Sequence, residues 1–390
     1  MISFDNTEIA FSGKNNKDLK RSYWLFKIIG SRTFVKIGRS LTSFAIAVHL
    51  PIKGIIKATI FKQFVGGEDI IECSKTIESL GKFNIGTILD YSVEGKETEK
   101  DFDACMNETV ATIMRAKNDK HIPFCVFKVT GLARIDLLEK VSSKKELNET
   151  EKGEWNKVHG RVNTICKASH DAGIPIFMDA EESWTQLAID DLSNEMMLLY
   201  NKAKAIVYNT FQLYRKDRLA YLKHSFELSQ KGNYFLGAKL VRGAYMEKER
   251  KRALEMNYPS PIQDSKEDSD RDYDAALDFC VEHVDLIAVC AGTHNEKSSL
   301  HLVSIMEQKN IPPQTKHICF SQLLGMSDHI SFNLSNAGYN VAKYVPYGPV
   351  KEVLPYLIRR AQENTSVKGQ TGRELNLIIK EKARRKQKEK

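Results

Sequence analysis

The sequence predicts an α/β protein of the (βα)8 TIM-barrel class with an N-terminal helical arm. Three observations predict it. From about Phe83 onward, eight short apolar runs alternate with long amphipathic segments. Eight such repeats within residues 81–370 match the count and length of a closed parallel barrel. The rival, a doubly wound sheet, lacks its signature: no GxGxxG or GxxxxGK follows a run, and "FVGGED" at Phe64–Asp69 is not such a loop.

The elements follow in order. Residues 1–80 read as helix, with a Gly-Gly break between "KATIFKQFV" and "EDIIECSKTIESLGK", and form the arm. The strand candidates are "IGTILDYSVEG", "IPFCVFKVTGL", "GIPIFMDAEES", "AIVYNTFQLY", "YFLGAKLVRGAY", "VDLIAVCAGTHN", "KHICFSQLLGM" and "NVAKYVPYG". Helical segments such as "WNKVHGRVNTICKASHDA" and "WTQLAIDDLSNEMMLLYNKA" lie between them. Residues 371–390 form a basic helical tail, whose end "KEKARRKQKEK" is expected to be frayed and solvated.

Composition narrows the class. The chain is 42% hydrophobic and 28% charged, a globular balance. The net charge of +8 resides largely in the tail and no basic–aromatic cluster accompanies it, so nucleic acid is not an expected partner. The seven cysteines form no CxxC pair, and several sit in apolar runs such as "FCVFK". That usage indicates a reducing, cytoplasmic setting without a disulfide framework. The first residues lack an apolar signal core and carry Asp5 and Glu8. Residues 43–61 are apolar but interrupted by His49, Pro51, Lys53 and Lys57, which fits a buried or interfacial helix rather than a spanning one.

Each strand candidate begins apolar and ends polar. The ends carry Glu94, Lys128, Asp179 with Glu181 and Glu182, Gln212, Arg242 with Tyr245, Thr293-His294-Asn295, Ser321-Gln322 and Tyr344. In a barrel these ends share one face, where active sites form, so a catalytic cup is expected there. The ten histidines are scattered and only His294 ends a strand, so no metal is expected. No GxSxG elbow is present. Lys128 reads either as a Schiff-base lysine of an aldolase-type barrel or as an ordinary ion-pair partner of Asp179. Cationic groups among aromatics suit an anionic substrate and a cofactor that performs the hard step.

The stretch "LPYLIRRAQEN", Leu354–Asn364, also has two readings. Leu354, Leu357, Ile358 and Ala361 make one apolar face, and Tyr356, Arg359, Arg360 and Glu363 make the opposite one. The polar face is either solvated or a carboxylate clamp.

"FMDAEES", "LGAKLVRGAY", "GTHN", "YVPYG" and "YLIRRAQEN", in this order, resemble the proline dehydrogenase family, from "FVGGE" near Phe64 to Asn364. The resemblance implies a distorted (βα)8 barrel with FAD across its carboxyl face, oxidising L-proline to Δ1-pyrroline-5-carboxylate. It implies that Arg359 and Arg360 bind the substrate carboxylate beside Lys128, with Glu94 pairing the arginines in the empty pocket. Leu323, Tyr344 and Tyr356 would wall the ring. Asp179 and Lys239 would stand at the reacting end of the flavin. Ala180, Gln212, Arg242, Gly243, Ala244, Thr293, His294 and Glu363 would contact FAD.

Two departures qualify the match. Lys239 stands where many bacterial members have arginine, and "YPSPIQDSKEDS" differs from their Thr-x-Lys, which leaves the adenosine side unassigned. Electrons would pass to a quinone. The tail and residues 43–61 would supply any peripheral contact with the inner membrane, which a single basic run makes weak. A separate pyrroline-5-carboxylate dehydrogenase would consume the product. Tyr344 is expected to favour proline over hydroxyproline, whose oxidising relatives carry a smaller residue there. The rivals are hydroxyproline dehydrogenase and the aldolase.

Overall fold

The computed structural model describes residues 2–30, 53–92, 97–366 and 370–388, with the side chains of 53, 55, 361–366, 370 and 371 excepted. The expectations for Glu94, for the Glu363 side chain and for much of the 43–61 stretch fall outside the described residues.

Eight parallel strands close into a barrel in sequence order. They are β1 (Ile85–Tyr91), β2 (Phe124–Lys128), β3 (Ile176–Asp179), β4 (Val207–Gln212), β5 (Leu236–Val241), β6 (Ile287–Gly292), β7 (Ile318–Leu323) and β8 (Val341–Tyr347). Each lies in one of the eight apolar runs, and closure excludes the doubly wound alternative. Nearly every strand residue is buried, as expected of parallel strands covered on both faces. Register aligns Lys128 with Asp179, and Thr210 with Lys239.

The chain forms two compact units, residues 95–321 and residues 1–94 with 322–390. In the first, four helices begin at side-chain caps. Thr98, Ser265 and Asn295 each accept a backbone N–H from the first turn, and Asn148 forms a reciprocal capping box with Glu151. The helix Glu149–Ala172 ends at Gly173 in the left-handed region (φ 71°), where glycine carries no Cβ penalty.

In the second unit, the arm helix Asn16–Ile29 buries Leu19, Phe26 and Ile29 in a core with Phe61, Phe64, Leu357, Leu377 and Ile378. The Gly-Gly break is where the arm meets β8. Gly66 N–H donates to Pro346 O at 2.8 Å, Gly67 bridges to Tyr347, and Gly348 N–H donates to Gly67 O at 3.2 Å. A Cβ on Gly66 would lie 2.4 Å from Val345 Cγ1, so only glycine permits this approach.

The basic tail is helical, Gln370–Lys388, but it is docked rather than frayed. Glu374, Leu377, Ile378 and Glu381 make a buried stripe at helical spacing. Glu381 accepts from Arg384 at 2.7 and 2.9 Å and from Arg385 at 2.7 Å. Arg384 reaches Glu8 at 2.9 Å, and Arg385 donates to Phe11 O at 2.9 Å. Basic composition concealed a narrow buried face. Among the described residues, no helix is long and apolar enough to cross a membrane.

Candidate active site

In the unit of residues 95–321, charged groups gather at the ends of β2, β3 and β5. Lys239 is buried and donates to Asp179 Oδ1, while Lys128 Nζ lies 3.9 Å from Asp179 Oδ2. The carboxylate thus stands between two ammoniums. The ion-pair reading of Lys128 holds geometrically, with Lys239 the closer partner.

Arg242, just past β5, is triply held: by Asp270 at 2.6 Å, Thr293 Oγ1 at 2.9 Å and Ser298 Oγ at 2.9 Å. Its guanidinium lies 4.4 Å from the Tyr273 ring centroid. Gly243 follows at φ 135°, and a Cβ there would strike the Tyr214 ring at 2.3 Å. Ala244 is exposed, and His294 is half-buried beside Thr293.

A buried polar network positions the segment after β3. Gln212 Nε2 donates to Glu181 O at 2.9 Å, and Glu181 N–H donates to Gln186 Oε1 at 2.9 Å. Gln186 and Asn209 both donate to Asp190, which Arg218 grips at 2.8 and 2.9 Å. The backbone at Glu181 is therefore held by two side-chain amides, of which Gln186 is anchored to a buried ion pair. Gln212 Oε1 is buried without a hydrogen-bond partner among the described residues.

Glu181 was named from the sequence only as a polar strand end. Its carboxylate accepts from Thr130 Oγ1 at 2.7 Å and from Thr130 N–H at 3.1 Å. Burial raises its carboxyl from the ordinary 4.5 to about 7; nearby Glu182 adds to the rise, and Thr130 and Lys128 oppose it. The folded state therefore holds a proton that the unfolded chain releases. Stability from this group is full below about pH 4.5 and is lost as pH rises through about 7. Glu181→Gln is expected to flatten the decline in Tm between those values, and superimposable wild-type and variant profiles would contradict this.

In the unit formed by residues 1–94 and 322–390, the helix Leu354–Ser366 lies with Leu357 in the apolar core. Its opposite face is not solvated: Tyr356 is 6% exposed and Arg360 8%. The Arg360 guanidinium lies 5.2 Å from the Tyr356 ring centroid, a cation–π distance. Arg359 is half-buried. Tyr344 is buried on β8, and its carbonyl accepts from Leu324 N–H at 2.8 Å, which places Leu323 beside it in the chain path.

All seven cysteines are buried thiols. Burial pushes Cys125 up to about 12, which makes it a packing residue rather than a nucleophile.

A closed parallel barrel with cationic and carboxylate groups at its strand ends places the chain among the (βα)8-barrel proteins that build their sites there. A family model described as proline dehydrogenase matches residues 73–373, and the chain belongs to the proline dehydrogenase family. Proline dehydrogenase 1, mitochondrial, of Dictyostelium discoideum is 35% identical over 379 residues, covering 86% of this chain and 66% of that protein. The carbapenem antibiotics biosynthesis protein CarD of Pectobacterium carotovorum subsp. carotovorum is 33% identical over 322 residues, covering 83% of each. Among solved structures, proline utilization A from Bdellovibrio bacteriovorus, inactivated by N-propargylglycine, superposes with a TM-score of 0.73. It is 20% identical, and the match covers 92% of this chain and 38% of that one, a likeness of fold. The chain thus spans just under two thirds of the Dictyostelium relative and well under half of the solved one.

Proposed function

We propose that this chain oxidises L-proline to Δ1-pyrroline-5-carboxylate with FAD as hydride acceptor and a quinone as the onward electron acceptor, the first step of proline catabolism. The observation that carries the reading is the burial of Arg360 against Tyr356 on a helix whose other face is core. A guanidinium held against an aromatic ring is oriented in advance to meet an anion. A planar fork suits a carboxylate, and paired arginines suit an amino acid that presents one.

Residues fitting a flavin are present. Gln212 Oε1 offers an unpartnered buried acceptor to a donor on the ring system. Arg242 and Thr293 offer charge and a hydroxyl, and Gly243 leaves its backbone uncovered. Ala180, Ala244, His294 and Glu363 are assigned to FAD on the family resemblance. A bound flavin would supply the acceptor for the hydride that leaves the ring carbon next to nitrogen.

The remaining roles belong to the chain. Arg359, Arg360 and Lys128 hold the carboxylate, while Leu323, Tyr344 and Tyr356 hold the ring against rotation and exclude water. Lys239, fixed by Asp179, presents a cation at the reacting end. Most of the protein's contribution is positioning. A separate dehydrogenase would consume the product, and any membrane contact would be peripheral, on the cytoplasmic side of the inner membrane.

Anaerobic L-proline is expected to bleach the yellow holoenzyme, with a short-chain quinone restoring the colour. Trans-4-hydroxyproline should bleach it far more slowly, because Tyr344 fills the space a ring hydroxyl needs. Equal rates would favour a hydroxyproline oxidase. A colourless protein trapped by borohydride on a carbonyl substrate would overturn the reading in favour of a Lys128 Schiff base.

A further inference from the structure

The end of β7 and the loop after it, Leu323–Ser327, are tied at five backbone groups by partners from three distant segments. Lys343 Nζ on β8 donates to Met326 O at 2.5 Å and to Leu323 O at 3.4 Å. Gln63 Nε2 of the arm donates to Gly325 O at 2.8 Å. Leu324 N–H donates to Tyr344 O at 2.8 Å, and Ser327 N–H donates to the carboxylate of Glu374 on the C-terminal helix.

The loop is also conformationally committed. Gly325 (φ 76°) and Ser327 (φ 51°) are left-handed. A Cβ on Gly325 would lie 2.0 Å from Gln63 O, so arm and loop are in backbone contact. Gln63 is itself fixed, its Oε1 accepting from Ser22 Oγ at 3.0 Å.

Bonds of this kind satisfy any buried loop. Lys343 is more than that requires. It is 0% exposed, and uncharged donors would serve two carbonyls at far lower desolvation cost. Burial pushes the Lys343 ammonium down, and Asp328 at 2.8 Å, which Lys14 of the arm also meets at 2.7 Å, opposes that. Burial alone would push the Asp328 carboxyl up, but the two lysines hold it well below the usual carboxylate range. Lys343 adjoins Tyr344 in the chain, and the loop it ties begins at Leu323.

We infer that Lys343 and Gln63 are positioning residues for substrate. Through the Leu323–Ser327 loop they fix Leu323 relative to Tyr344, and so set the ring size the site accepts. This rests on the proline reading above. It also gives the N-terminal arm a part in substrate selection, whereas the sequence suggested only a cap.

The test compares holoenzyme variants Gln63→Met and Lys343→Met with Ile77→Ala, a core cavity in the same unit away from this loop. Each is assayed with proline and with its six-membered homologue, pipecolate, alongside Tm. A shifted pocket wall is expected to raise KM for proline about tenfold in both positioning variants, with kcat within about twofold. The proline-to-pipecolate preference in kcat/KM should fall about fivefold or more in both. Ile77→Ala should lower Tm and leave that preference unchanged. If Gln63→Met and Lys343→Met lower Tm but keep the wild-type preference, the bonds are structural only and the inference fails. Should Lys343→Met not fold, Gln63→Met and Gln63→Leu, which deletes the same donor without adding a charge, decide it. Wild-type enzyme inert toward proline would instead overturn the functional reading and this inference with it.

Discussion

Replacing Arg360 by methionine is expected to raise KM for proline by roughly 10- to 150-fold, with a smaller effect on the chemical step. A hydrogen bond between charged groups contributes about 1.5–3 kcal/mol, and each 1.4 kcal/mol is about tenfold. Arg360 stacks on Tyr356 at 5.2 Å and is buried, so its loss also loosens the packing of the Tyr356 ring. Arg359 is half-buried and separates the two effects: Arg359→Met should weaken proline binding while costing little Tm. Arg360→Lys keeps the charge but loses the planar fork, and should recover only part of the affinity. Steady-state kinetics with thermal unfolding resolve these outcomes. Unchanged proline kinetics in both methionine variants would sink the clamp.

Arg218→Ala is expected to destabilise the protein by about 3–5 kcal/mol, because it leaves Asp190 charged and buried without its cation. That is a large share of the roughly 5–15 kcal/mol by which a domain is stable. The consequence should extend to the site. Asp190 anchors Gln186 and Asn209, and Gln186 with Gln212 sets the backbone at Glu181. The variant should therefore lose flavin at lower denaturant concentration than it unfolds. The double variant Arg218→Met with Asp190→Asn should regain part of the stability, since no buried charge is then left alone. Denaturant unfolding, followed by flavin release and by circular dichroism, measures both. A loss below about 1 kcal/mol would show that the pair is not the anchor described.

Much of this was legible residue by residue. The eight strands announced themselves because parallel strands buried on two faces must be continuously apolar, and the turn back to polarity marked their ends. The types at those ends, Lys128, Asp179, Gln212, Arg242 and Thr293, were readable for the same reason. Other features left no local trace. Gly66 and Gly67 read as a break, yet they are where the arm lies against β8. "KEKARRKQKEK" is largely exposed as its composition suggests, yet it stays helical to Lys388 because Glu381 is buried and the turns before it bury Glu374, Leu377 and Ile378. Lys343 carries no signal of its own within "NVAKYVPYG", because its partners lie on other segments.

By itself, then, the sequence determined the barrel class, the strand order and the chemistry available at the strand ends. These follow from local periodicity, which each segment carries alone. Only the tertiary structure decided that Arg360 is buried on Tyr356, that Lys239 rather than Lys128 lies closest to Asp179, and that arm, β8 and C-terminal helix converge on one loop. Burial and pairing are sums over neighbours far apart in the chain. "YLIRRAQEN" shows the distinction: its spacing permits a solvated face or a buried one, and packing buries Tyr356 and Arg360.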